Sequence, residues 1–126
     1  MLVDDEEASN FLNQVIIRQS KLASSVIAYE ESPIALNKLK EIIGKGDPPE
    51  LVFLDINMPQ MNGWEFIEEF EKIAGNDTPT KIIMLTSSIN PKDEERASTL
   101  PHVAEFRSKP LTAEMLMEII KNQFGA

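Results

Sequence analysis

The 126-residue sequence contains no cysteine and a single histidine. The absence of cysteine excludes disulfide bonds, thiolate metal ligands and a cysteine nucleophile. With one histidine, His102, a zinc centre built from nitrogen and sulfur ligands is also disfavoured. A chain without disulfides is compatible with a reducing compartment, and we therefore expect a cytoplasmic protein. Any metal site in this chain is expected to use oxygen ligands.

Basic residues and long apolar runs are also scarce. Twelve Lys and Arg residues stand against 21 Asp and Glu residues, which gives a formal net charge of −9. Such a charge repels phosphate, so we expect no direct binding to nucleic acid or to anionic membranes. No apolar run approaches the roughly 18 residues of a membrane span, and no signal peptide is visible. This negative charge is compatible with binding of cations and of basic protein surfaces.

The chain lacks repeats, low-complexity tracts and long linkers, and its length suits one domain over residues 1–126. Short apolar runs alternate with segments of helical periodicity, which predicts a strand followed by a helix five times over. The predicted strands are Met1–Val3, Ser25–Tyr29, Leu51–Leu54, Lys81–Leu85 and Val103–Arg107. The predicted helices are Glu7–Ser20, Pro33–Gly44, Trp64–Ile73, Pro91–Leu100 and Thr112–Phe124. The first strand is very short, so either the start is trimmed or upstream residues are missing.

Local signals support these helices. Ser32-Pro33 and Asn90-Pro91 are typical of an N-cap residue followed by proline at the first helical position. Four helices carry apolar residues at helical spacing. These are Phe11, Leu12, Val15 and Ile16 in the first, Ile34, Leu36, Leu39, Ile42 and Ile43 in the second, Phe66, Ile67, Phe70 and Ile73 in the third, and Leu116, Ile119, Ile120 and Phe124, expected to face inward, in the last. His102 is interpreted as an inert loop residue, and Trp64 as a packing residue.

The strand–helix order predicts an α/β fold with a parallel sheet and helices on both of its faces, because such crossovers are right-handed. The unbroken apolar run of Leu51–Leu54 is typical of a strand covered on both sides. Sheets of this kind carry their sites at the carboxyl ends of the strands, beside the point where the strand order reverses.

Polar groups follow four of the predicted strands at that end of the sheet. These groups are Asp4, Asp5 and Glu6 after the first strand, Asp55 after the third, Thr86 and Ser87 after the fourth, and Ser108 and Lys109 after the fifth. Clustered carboxylates repel one another, and their burial is costly without a compensating charge. Mg²⁺ resolves this conflict because it takes carboxylate oxygens and completes its coordination with water and phosphate. A carboxylate held beside the metal can act as a nucleophile towards phosphorus.

These residues resemble the receiver domains of two-component signalling, the CheY-like family. The resemblance rests on Leu2-Val3-Asp4-Asp5-Glu6, on Leu54-Asp55-Ile56-Asn57-Met58-Pro59-Gln60-Met61-Asn62-Gly63, on Leu85-Thr86-Ser87 and on Ser108-Lys109-Pro110. It covers essentially the whole chain. It implies a flavodoxin-like, doubly wound (βα)5 fold with a five-stranded parallel sheet in the order 2-1-3-4-5.

The resemblance also implies a role for each matching residue. Asp55 is similar to the phosphoacceptor, and Asp4, Asp5 and Asp55, with the backbone carbonyl of Asn57, to the Mg²⁺ ligands. Lys109 and Thr86 resemble the residues that bind the phosphoryl group. Thr86 and Phe106 stand at the switch positions, and Pro110 at a position whose peptide bond is typically cis. Asn57 and Ser88 flank the acceptor, where they are candidates for control of the phosphoryl lifetime.

Two positions bear on the switch and its surroundings. Phe106 has no hydroxyl, so it either switches by packing alone or belongs to the core. Arg107 replaces a residue that is usually apolar in the family, and on an edge strand it is expected to face solvent or a partner.

The implied function is a phosphorylation switch rather than an enzyme that acts on other molecules. A sensor histidine kinase or a histidine phosphotransfer protein is the expected donor, and a downstream protein is expected to bind the face formed by the fourth helix, fifth strand and fifth helix. A homodimer stays open. One alternative is a phosphorylation-independent adaptor in which the short first strand misplaces Asp4 and Asp5. A second is a phosphatase of the haloacid-dehalogenase type, disfavoured because Asn57 replaces the second aspartate of its Asp-x-Asp motif.

Overall fold

The fold is described from a computed structural model, which describes residues 1–75, 77–87 and 89–125. Ser88, one of the two candidates for control of the phosphoryl lifetime, lies outside the described residues. The strands are β1 (Leu2–Val3), β2 (Ala28–Tyr29), β3 (Leu51–Asp55), β4 (Lys81–Thr86) and β5 (Val103–Ser108). The helices are α1 (Glu7–Ser20), α2 (Ser32–Gly44), α3 (Gly63–Ala74), α4 (Pro91–Ser98) and α5 (Ala113–Phe124).

The five strands form one parallel sheet in the order β2-β1-β3-β4-β5, which confirms the predicted α/β fold. The order reverses at β1, which pairs with both β2 and β3. In this register Val3 lies opposite Leu54, so that Asp4, which follows β1, lies beside Asp55, the last residue of β3. The topology thus places two acidic residues, 51 positions apart in sequence, at one edge.

Apolar side chains fill both faces of the sheet. On one face, Leu39 of α2 and Phe66 and Phe70 of α3 belong to a cluster with Val52, Leu54 and Met84. On the other face, Ile17 of α1 and Leu116 and Ile119 of α5 belong to a cluster with Phe53, Ile83 and Leu85. Burial on both faces explains why β3 and β4 have unbroken apolar sequences.

Helix α1 turns a different face inward than its apolar residues indicate. Phe11 and Leu12 are 63% and 58% exposed, whereas Asn10, Asn13 and Ile17 are buried. The apolar stripe therefore predicts the helix correctly and its buried face only in part, because Ile16 packs against the core cluster whereas Phe11 and Leu12 are exposed. The physical reason is that Asn10 provides hydrogen bonds that the strand ends beneath the helix require.

Several details of the other elements differ from the prediction. Ser32 is the first residue of α2 and not its N-cap, which is Glu31, and the Ser32 hydroxyl donates to the Met61 carbonyl at 2.7 Å. Strand β2 is shorter than predicted, and α4 ends at Ser98. Phe124 does not face the core: it is 39% exposed, and the Lys81 ammonium lies 5.5 Å from its ring centre. It is the last residue of α5, where the helix reaches the rim of the sheet.

His102 and Trp64 are both buried and contact other side chains. His102 is buried, with Nδ1 at 2.7 Å from a Glu71 carboxylate oxygen and Nε2 at 3.2 Å from the Thr78 carbonyl. Trp64, in the first turn of α3, is buried, and the Arg96 guanidinium of α4 lies 4.5 Å from its ring centre. Within the described ranges, none of the helices is long and apolar enough to cross a membrane.

Candidate functional site

Three carboxylates meet at the carboxyl ends of β1 and β3. One oxygen from each of Asp4, Asp5 and Asp55 lies within 4.8 Å of the others. Asp4 and Asp55 are buried, at 4% and 6% exposure, whereas Asp5 is exposed. The two-residue strand β1 is sufficient for this arrangement because it is paired on both sides. The expectation behind the adaptor alternative, that a short first strand displaces these acids, is therefore wrong.

Lys109 extends from the end of β5 into this acidic group. Its ammonium nitrogen lies 2.7 Å from Asp4 Oδ2, 3.5 Å from Asp55 Oδ1 and 3.8 Å from a Glu6 carboxylate oxygen. The Lys109 backbone N–H donates to the Thr86 carbonyl at 2.7 Å, which anchors the base of the side chain to β4. The following peptide bond, Lys109–Pro110, is cis.

The surroundings of Asp55 raise its pKa to about 6, from an ordinary value of 3.8. Burial is the main cause, followed by the negative charge of Asp4, while Lys109 acts in the opposite direction. For Lys109, burial favours the neutral form, but the hydrogen bond and charge of Asp4, with the charges of Asp55 and Glu6, outweigh it and raise the pKa of Lys109. The ammonium thus stays charged while the carboxylates compete for it.

This perturbed pKa predicts an unusual dependence of stability on pH. Because folded Asp55 binds its proton more tightly than unfolded Asp55, the folded state loses stability as pH rises from about 4 through about 6. We expect this loss to reach at most about 3 kcal/mol. Denaturant unfolding in the presence of a chelator measures it, as the difference between wild type and Asp55→Asn at each pH. A difference that stays constant from pH 4 to 7.5 contradicts the assignment.

The charge balance of the site fits a divalent cation. Three carboxylates and one ammonium leave two negative charges uncompensated when all four groups are ionised. The donors are all oxygens, and the site is open on the side of Asp5. Such a set suits Mg²⁺, which binds through a few carboxylates and keeps several of its waters.

The remaining predicted residues surround this centre. Asn57 is exposed and lies two residues beyond Asp55 in the turn that follows β3. Thr86 is buried at the end of β4. Phe106 is partly buried and packs against the apolar cluster on the α3 face, which includes Ala97 of α4. Arg107 does not face solvent alone: its guanidinium contacts the carboxylates of Glu105 at 2.7 Å and Glu118 at 3.1 Å, which ties β5 to α5.

Comparison with known proteins decides the family. A family profile described as "Response regulator receiver domain" matches residues 1–121. The chain belongs to the response regulator receiver family. Receiver domains of this family are signalling domains of two-component systems rather than conventional enzymes.

Solved structures support the same assignment. A two component response regulator from Cytophaga hutchinsonii is 33% identical to this receiver domain, with a TM-score of 0.87 over 99% of this chain and 95% of that one. A response regulator receiver protein from Dyadobacter fermentans is 27% identical, with a TM-score of 0.83 over 98% of this chain and 94% of that one.

A curated relative is much longer than this receiver domain. The sensor histidine kinase GacS of Pseudomonas protegens is 25% identical over 127 aligned positions, which include 99% of this chain but 13% of the kinase. The chain therefore spans about an eighth of the length of that relative.

In this receiver domain, the turn between β3 and α3 fixes the backbone of Asp55. Helix α3 begins with a capping box, in which Asn62 and Glu65 exchange side-chain and backbone hydrogen bonds. Gly63 donates its N–H to the Ile56 carbonyl at 2.7 Å. A Cβ atom at Gly63 would lie 2.7 Å from the Asp55 carbonyl oxygen and 2.9 Å from Ile56 Cα, so only glycine permits this approach.

We predict that Gly63→Ala lowers the free energy of unfolding by about 1–3 kcal/mol, because backbone on both sides must move apart. Gly44→Ala is the matched control, because among the described residues no atom outside its own helix and chain neighbours lies within 4 Å of a Cβ there. Denaturant unfolding compares the two variants, and equal effects would show that the close contact is not the cause.

Sequence reasoning missed Asn10, which the structure places beneath the site. Its amide nitrogen donates to the Asp4 carbonyl at 2.8 Å. The available signal was its position, three residues before Asn13 and seven before Ile17, which puts all three on one face of α1. The apolar stripe of Phe11 and Leu12 concealed that signal.

Proposed function

We propose that this receiver domain is a phosphorylation switch in which Asp55 accepts a phosphoryl group from a phosphohistidine, with Mg²⁺ as the required cation. An Asp55 carboxylate oxygen forms the new bond to phosphorus, and the bond between phosphorus and the histidine nitrogen breaks. The observation that carries this proposal is the convergence of Asp4, Asp5, Asp55 and Lys109 within a few ångströms.

Each residue of the site has a separate proposed role. Asp4, Asp5, Asp55 and the backbone carbonyl of Asn57 are the proposed ligands of Mg²⁺. The cation supplies positive charge that neutralises the carboxylates and the transferring phosphoryl oxygens. Lys109, at 3.5 Å from Asp55 Oδ1, is placed to pair with a phosphoryl oxygen on that carboxylate. Thr86, at the neighbouring strand end, is proposed to bind another through its hydroxyl.

Transmission of the signal is proposed to run through the adjoining elements. A phosphoryl group on Asp55 introduces negative charge that draws Thr86 and Lys109 towards it. Both lie at the ends of β4 and β5, whose ladder pairs Thr86 with Ser108. Phe106 packs against the cluster that contains Ala97 of α4, so a shift of the end of β5 is expected to move this cluster as well. A downstream protein is proposed to bind the face formed by α4, β5 and α5.

The proposed donor is a sensor histidine kinase or a histidine phosphotransfer protein. The likeness of this chain to a segment of a sensor histidine kinase supports a phosphohistidine source. A protein donor also needs a surface beside the site. Helix α1 begins two residues after Asp5 and exposes Phe11 and Leu12, which we assign to that surface. Loss of the phosphoryl group by hydrolysis is proposed to be intrinsic to the site, with Asn57 beside the path of the attacking water.

A single experiment tests the proposal. The protein is incubated with acetyl phosphate as a small phosphodonor, with Mg²⁺ or with a chelator, and its intact mass is measured over time. We expect a gain of one phosphoryl group with Mg²⁺ and none with chelator. No gain in either condition would favour a phosphorylation-independent adaptor. Repeated turnover of an added phosphomonoester would instead indicate a phosphatase.

A further inference from the structure

We infer that Asn10 is a positioning residue that holds Asp4 in place for the cation. The inference rests on the proposed function, because it assigns Asp4 to the Mg²⁺ ligands. Asn10 lies on the inward face of α1 and is 4% exposed. Its side chain donates to backbone carbonyls and not to the carboxylates, so its effect on the site is exerted through Asp4.

Asn10 joins the ends of two strands. Its amide nitrogen donates to the Asp4 carbonyl at 2.8 Å and to the Tyr29 carbonyl at 3.2 Å. The Asp4 backbone N–H also donates to the Tyr29 carbonyl, at 3.0 Å. Two carbonyl acceptors require that the NH₂ group, and not the oxygen, of the amide faces them, which fixes the orientation of the side chain.

The hydrogen bonds of Asn10 lie where the pairing of β1 with β2 has already ended. Strands β1 and β2 have two residues each, and their pairing stops at Val3 and Tyr29. Asp4 is the first residue beyond that pairing, although its carboxylate must stay near Asp5 and Asp55. The Asp4 side chain is oriented by the Glu6 backbone N–H at 3.0 Å and by Lys109 at 2.7 Å. Asn10 fixes the peptide group from which that side chain extends.

The other end of the Asn10 amide carries an energetic cost. Its oxygen is a buried acceptor that has no hydrogen-bond partner within the part of the chain the structure describes. Asn10 lines, together with Asp4, Asn13 and Asp55, a gap that is too narrow to hold a water molecule. A buried acceptor without a partner destabilises a fold. The two donated bonds to Asp4 and Tyr29 are therefore the gain that offsets this cost.

The test compares Asn10→Ala with Asn13→Ala by calorimetric titration with Mg²⁺ and by the rate of phosphorylation from acetyl phosphate. Asn13 is the matched control because it is buried on the same face of α1 and lines the same gap. Unlike Asn10, and among residues 1–75, 77–87 and 89–125, its side chain makes no hydrogen bond to Asp4 or Tyr29. We expect Asn10→Ala to bind Mg²⁺ about tenfold more weakly, while its phosphorylation rate at saturating Mg²⁺ stays within about twofold of wild type. Asn13→Ala is expected to keep the wild-type affinity.

Each other outcome has a defined meaning. An Asn10→Ala protein with wild-type Mg²⁺ affinity, or equal weakening by both variants, overturns the inference while the proposed function stands. A wild-type protein that binds no Mg²⁺ overturns both. If Asn10→Ala does not fold, as judged by circular dichroism, the titration is made with Asn10→Leu, which keeps the size of the side chain but has no donor. Weaker binding by that variant supports the inference, and wild-type affinity overturns it.

Discussion

The Asp55→Asn variant is expected to take up no phosphoryl group under conditions in which the wild-type protein is fully modified. Asparagine has nearly the shape of aspartate but lacks the anionic oxygen that attacks phosphorus. The fold is expected to survive, and in the absence of metal the variant should be more stable than wild type at pH 7. The reason is that burial and the charge of Asp4 oppose ionisation of Asp55 in the folded state, as its pKa of about 6 shows.

Intact mass after incubation with acetyl phosphate and Mg²⁺ measures this loss. Asp47→Asn is the matched control, because Asp47 is an exposed aspartate in the loop after α2 and its replacement removes the same charge. That control should be modified at the wild-type rate. A phosphoryl group that still appears on Asp55→Asn would place the acceptor at another residue, and peptide mass spectrometry would locate it.

Lys109→Met is expected to have opposite effects on two properties of the site. Phosphorylation from a small donor should slow by on the order of a hundredfold or more, which is typical when one donor to a developing negative charge is removed. Mg²⁺ should bind more tightly, by about tenfold, because the ammonium group at 2.7 Å from Asp4 no longer competes with the cation for that carboxylate. A residue needed merely for folding would not produce this combination.

Lys81→Met provides the control for the loss of one lysine. Lys81 is also partly buried, but it lies at the opposite end of the sheet, where its ammonium donates to the Gln123 carbonyl at 2.9 Å. We expect neither property to change in that variant by more than about twofold. Calorimetric titration gives the Mg²⁺ affinity, and the time course of intact mass gives the rate. Weaker Mg²⁺ binding by Lys109→Met would contradict competition between the two cations.

Most of the fold could be predicted from the sequence because its signals are local. The unbroken apolar runs of β3 and β4 indicate strands covered on both faces, and both strands lie in the centre of the sheet. The Asn90-Pro91 pair marks the start of α4, where the Asn90 side chain accepts a hydrogen bond from the Lys92 N–H at 2.9 Å. The same reasoning failed for Ser32. Serine is a common N-cap residue, but the Ser32 hydroxyl donates to the carbonyl of Met61, a residue 29 positions away. A distant partner of this kind leaves no trace in the local sequence.

The inward faces of the helices were predictable only in part. Hydrophobic periodicity identifies the buried face of α3, where Phe66, Ile67 and Phe70 are fully buried. It fails for α1, because the space beneath that helix contains backbone carbonyls of Asp4 and Tyr29 that need a donor. It fails at the end of α5 as well, where Phe124 is 39% exposed and its ring lies beside the Lys81 ammonium. In both cases the environment is created by other segments of the chain.

The sequence by itself determined the strand–helix order, the family resemblance and the set of reactive side chains, because these depend on residue types and spacings along one chain. Tertiary structure alone decided the distances between Asp4, Asp55 and Lys109, the raised pKa of Asp55 and the position of Asn10 beneath the acids. The physical reason is that Coulomb interactions and burial depend on separation in space, and the separations are set by the pairing of β1 with β3 and of β4 with β5.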